Sequence, residues 1–114
     1  MELRLADMSA NPYLMAAAIG AAGLDGVRAG VPAPPPADLN MYNAHDPAVA
    51  AAKASSKALP TMLPEALDQL EASAPLADGL GQPFIDSYLK LRRAHWVEYT
   101  SHLSAWELET YLDA

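Results

Sequence analysis

The chain has no cysteine in 114 residues, which excludes a disulfide framework and any thiolate metal site. Positive charge is scarce: 7 Lys and Arg stand against 14 Asp and Glu, for a net charge of -7. That balance argues against nucleic acid or an anionic membrane surface as a partner. There is no Gly-rich phosphate loop, no nucleotide-binding signature, no second carboxylate cluster placed for a metal, and no internal repeat. The apolar run from Leu14 to Leu24 is too short and too small in its side chains for a membrane span, which needs about 20 mainly apolar residues. Glu2 and Asp7 stand where a secretion signal would carry positive charge. What remains is room for one small domain, cytoplasmic by these exclusions, with a hydrophobic content of 52% that is ample for a core.

The opening is the most informative stretch. In Glu2-Leu3-Arg4-Leu5-Ala6-Asp7 charged and apolar residues alternate with the two-residue period of a half-buried strand, and Glu2 and Arg4 share its polar face. Asn11 reads as a helix N-cap and Pro12 as the first helical residue, where a missing N–H costs nothing. The residues that follow carry no charge and no polar face, the pattern of a helix buried all round. Asp25, the closely spaced Gly23, Gly26 and Gly30, and Val31-Pro32 end that helix around Arg28.

The chain divides into three parts: strand plus buried helix over 1–30, a Pro/Ala-rich loop over 31–60, and a helical end over 61–114. Pro32, Pro34, Pro35, Pro36, Pro47 and Pro60 block regular structure in the loop, and Ala48 to Lys57 is the one stretch there that suits a helix. In the last part, Leu63, Leu67 and Leu70 lie on one face of a helix ending near Ala72, with Asp68 and Glu71 turned to water. A short turn of helix from Pro75 to Asp78 breaks at Gly79 and Gly81. A longer helix from Pro83 to about Ser101 lines up Ile85, Tyr88, Leu89, Arg92 and Trp96. Ser104-x-x-Glu107 is a capping box that opens a final helix. The fold class expected is mainly α, with one short N-terminal strand.

Glu2 and Arg4 admit two readings, of which spacing alone favours the first. One is an ordinary ion pair across a strand face, worth about 0–1 kcal/mol. The other is chemical, a carboxylate able to hold a hard divalent cation beside a guanidinium able to clamp a carboxylate through two parallel N–H···O bonds. The histidines read as surface or packing residues. His95 and His102 are seven residues apart, longer than the i, i+4 step of a helical ligand pair, and His45 is remote from both. Tyr88, Trp96, Tyr99 and Trp106 read as core and interface packing.

The order of these motifs resembles the closing part of the catalytic domain of the glutamine synthetase family. Glu2-Leu3-Arg4, Ala10-Asn11-Pro12-Tyr13 and Ala22-Gly23-Leu24-Asp25-Gly26 match that family's run in sequence. Asp38-Leu39-Asn40-Met41-Tyr42, Leu63-Pro64-Glu65-Ala66-Leu67, Tyr88-Leu89-Lys90-Leu91-Arg92 and Trp106-Glu107 extend the likeness to the C-terminus. These later motifs are similar to a bacterial type III-like subgroup whose members act as glutamine synthetases or as ligases for related amines. Ala6 stands where the family usually has proline.

The resemblance implies an α+β parent domain and ATP-dependent ligation of ammonia to glutamate through a γ-glutamyl phosphate. It implies Glu2 as a ligand to Mg²⁺ or Mn²⁺ and Arg4 as the residue that contacts substrate glutamate. No general acid or base is implied within these residues. ATP, the remaining metal ligands, the ammonia site and a neighbouring subunit of a homo-oligomer belong to the rest of such an enzyme. The chain is therefore expected to be a C-terminal fragment, inactive alone, or a separately encoded remnant serving as a non-catalytic helical module. An alkylamine in place of ammonia stays open.

Overall fold

Six helices in chain order make up the computed structural model, which describes residues 3, 6, 8–34, 36 and 38–112. They are α1 (Pro12–Arg28), α2 (Pro47–Ser55), α3 (Leu63–Glu71), α4 (Ala74–Leu80), α5 (Gln82–Ser101) and α6 (Ala105–Tyr111).

Local chemistry accounts for where each begins and ends. The Asn11 side chain accepts from the backbone N–H of Tyr13 at 3.0 Å and of Leu14 at 3.2 Å, and Pro12 occupies the first turn of α1. At the other end Gly30 takes φ +63°. That left-handed turn lets the Val31 N–H reach the Gly26 carbonyl at 3.0 Å while the Gly30 N–H reaches Val27, the paired bonds that close a helix over a C-terminal glycine. Asp46 caps α2 through Ala48 N–H at 2.8 Å. Gly81, at φ +89°, ends α4 and starts α5, a reversal that a side chain would strain. The capping box at Ser104 and Glu107 forms as the sequence indicates.

The core is small. Leu67 of α3 meets Ile85 and Leu89 of α5, with Leu70, Leu80 and Tyr88 packed at its edge. The α1 helix joins by lying against α4, where the two backbones come close enough that a Cβ built on Gly79 would sit 2.5 Å from the Ala21 Cβ.

Several expectations need correction. Pro47 opens α2 instead of blocking it, because a proline in the first turn gives up no helical hydrogen bond, and α4 runs through Gly79 to Leu80 before ending at Gly81. The helix from Pro12 to Arg28 forms with the bounds expected, but none of its residues is buried. Leu14, Ala18 and Ala21, spaced at four and three, are half-buried along one stripe, while Tyr13 is 84% and Val27 78% exposed. An all-apolar helix needs cover on every side, and these residues supply a neighbour on one. The N-terminal strand is also absent among the described residues: Leu3 and Ala6 stand in irregular structure, and Glu2 and Arg4 lie outside them. A strand is held by a neighbour's backbone ladder, and no other described segment provides one. The radius of gyration is 18.6 Å, against about 13 Å for a compact domain of this length, so the helices form an open arrangement.

Candidate functional site

A groove of about 600 Å³ opens where the chain approaches α1. Ala6, Ser9, Ala10 and Asn11 form one wall, with Leu14 and Met15 beyond them; Leu63, Leu70 and Leu80 together with Phe84, Tyr88 and Arg92 face them from α3, α4 and α5. The Asn11 cap fixes the turn by which the backbone enters α1, and so fixes that wall. Arg92 lies with its guanidinium carbon 5.2 Å from the centre of the Tyr88 ring, near enough for the cation to be attracted to the ring face. Leucine and aromatic side chains dominate the surface. It can accept apolar matter.

Glu2 and Arg4, the two residues to which sequence assigns chemistry, lie outside the described residues. Ala6, two positions after Arg4, lines the groove. Among the described residues no three His, Asp or Glu side chains gather where they could hold a metal ion. A hard divalent cation takes several oxygen ligands at once, so the described residues do not by themselves fit Mg²⁺ or Mn²⁺.

The most developed electrostatic feature among the described residues joins α3 to α5. Arg93 of α5 donates from Nη2 to Asp68 at 2.9 Å and to Glu71 at 2.7 Å, and from Nη1 to Glu71 at 3.1 Å. Asp68 and Glu71 do face solvent, as the leucine spacing implies, but they also grip Arg93 and tie α3 to α5. Arg93 donating into its carboxylate, with the attraction of opposite charges added, holds Glu71 below its ordinary value. The same two carboxylates push Arg93 above its own. Neither helix alone announces this clamp, because it needs the register between them.

Two more carboxylates act at helix starts. Glu65 accepts from the Thr61 N–H at 2.9 Å, which, with the Met62 N–H, lowers its pKa and ties the residues that lead into α3 to its first turn. Glu107 is lowered by the Ser104 N–H and hydroxyl. His45, His95 and His102 are all exposed, and His102 falls just past the end of α5, so the histidines make no common site. Of the aromatics read as packing, Tyr88 and Trp96 are half-buried, whereas Tyr99 and Trp106 stand open.

Comparison with known proteins assigns this arrangement to a class. The model of the glutamine synthetase catalytic domain matches residues 1–111. The chain belongs to that family. It is 42% identical over 113 residues to a glutamate–methylamine ligase of Methyloversatilis universalis, matching 99% of this chain and 25% of the relative. It is 38% identical over 112 residues to a glutamine synthetase of Mycobacterium tuberculosis, with 98% and 25% covered. A solved structure of GmaS in complex with ADP superposes with a TM-score of 0.81 at 42% identity, over 98% of this chain and 24% of that one. The chain thus spans about a quarter of the length of these relatives. No helix among its described residues is long and apolar enough to cross a membrane.

Proposed function

We propose that these residues are the C-terminal part of an ATP-dependent ligase that joins an amine to the γ-carboxyl of glutamate through a γ-glutamyl phosphate. The observation that carries this reading is the family match across residues 1–111, which takes in Glu2 and Arg4 together with the Asn11 cap and α1. Nucleotide binding is supported by the ADP-bound state of the superposable GmaS.

In this reading Glu2 is one oxygen ligand to Mg²⁺ or Mn²⁺, and the other ligands come from sequence beyond these residues. Arg4 grips substrate glutamate in the bidentate manner that a planar guanidinium allows. The metal, when bound, supplies positive charge to offset the phosphate oxygens of ATP. Asn11 and Pro12 set the point where the segment carrying Glu2 and Arg4 hands over to α1. The remaining parts, including a homo-oligomeric neighbour, are those of the whole enzyme in the cytoplasm.

Ammonia is the amine of the first reading. A second reading, in which an alkylamine takes its place, draws support from the 42% identity to a glutamate–methylamine ligase, beside 38% to a glutamine synthetase. Competition between ammonia and methylamine for ATP-dependent γ-glutamyl transfer by the full-length protein separates the two. In the same assay Glu2→Ala should raise the metal requirement and nearly abolish turnover. Arg4→Ala should chiefly raise the glutamate requirement, and His95→Ala should change neither. Wild-type turnover in Glu2→Ala would remove the basis for placing active-site residues in this chain.

A further inference from the structure

We draw no further inference here: the strongest candidate, the apolar groove between the approach to α1 and helices α3, α4 and α5 with Arg92 at its edge, carries nothing because nothing in the structure shows what covers it.

Discussion

Replacing Gly79 by alanine pits two effects of opposite sign against each other. Gly79 is the penultimate residue of α4 and its φ is not positive, so on helix propensity alone alanine would stabilise, by at most about 1 kcal/mol. The new Cβ, however, would lie 2.5 Å from the Ala21 Cβ and 3.5 Å from its Cα. Carbon atoms rest at about 3.5–4.0 Å, so the first contact is short by roughly 1 Å. Neither methyl can rotate away, because each is fixed directly to its backbone, and α1 and α4 must separate. Overpacking of this kind costs about 1–3 kcal/mol, which leaves a net loss of roughly 0–3 kcal/mol after the propensity gain.

A double-mutant cycle isolates the contact from propensity. Ala21→Gly alone should destabilise by about 0.5–1 kcal/mol through helix propensity. In the Gly79→Ala background the same change also removes the overlap, so the double variant should be more stable than the two single effects predict, by about 1–3 kcal/mol. Urea unfolding followed by helical circular dichroism, at sub-micromolar protein to dilute out association, measures all four corners. Additivity within about 0.5 kcal/mol, or a Gly79→Ala variant more stable than the parent, would refute the close approach of these helices.

Other outcomes follow from the core, the clamp and the open surfaces. Ile85, 1% exposed between Leu67 and Leu89, should cost about 2–5 kcal/mol when cut to alanine, whereas the exposed Leu91 should cost under about 0.5 kcal/mol; equal losses in urea unfolding would dissolve the assigned core. Glu71 titrates below its ordinary 4.5, so the clamp contributes fully above that pH and is lost as pH falls through the lower folded value. A pH series of unfolding midpoints should show that acid loss in the parent and less of it in Arg93→Ala, and 1 M salt should shrink the difference; identical acid profiles would count against the clamp. The chain by itself should self-associate, because Tyr13, Val27 and Leu24 leave one side of α1 open; monodisperse monomer in sedimentation at micromolar concentration would contradict this.

Helix ends were the most legible part of the fold because their causes are local. Asn11 with Pro12 and Ser104 with Glu107 each place a side-chain acceptor within three residues of the N–H it serves, whereas Pro47, read as a breaker, hides the Asp46 cap of α2. The leucine spacing in α3 and the stripe of Ile85 and Leu89 in α5 likewise identify the faces that meet. The Arg93 clamp was not legible. Asp68 and Glu71 precede Arg93 by 25 and 22 residues, and nothing in the sequence states that the turn at Gly81 will bring them together. Nor does composition reveal that the small side chains of Ala21 and Gly79 serve one contact.

The disagreement over α1 bears on the candidate site. Its sequence asks for burial on all sides, yet cover comes from α4 along one stripe. Burying an exposed Val or Leu is worth about 1.5–3 kcal/mol, so leaving Tyr13, Leu24 and Val27 open forgoes several kcal/mol by the same measure. A sequence tuned this way for a one-sided contact would place polar residues on the free face, as α3 does with Asp68 and Glu71. In α1 no charge appears before Asp25. The same reasoning applies to Glu2 and Arg4: a period-two segment acquires a defined polar face only when a neighbouring strand fixes its register. No such neighbour stands among the described residues, so in the proposed reading the packing that sets the register of Glu2 and Arg4 belongs to the rest of the parent enzyme.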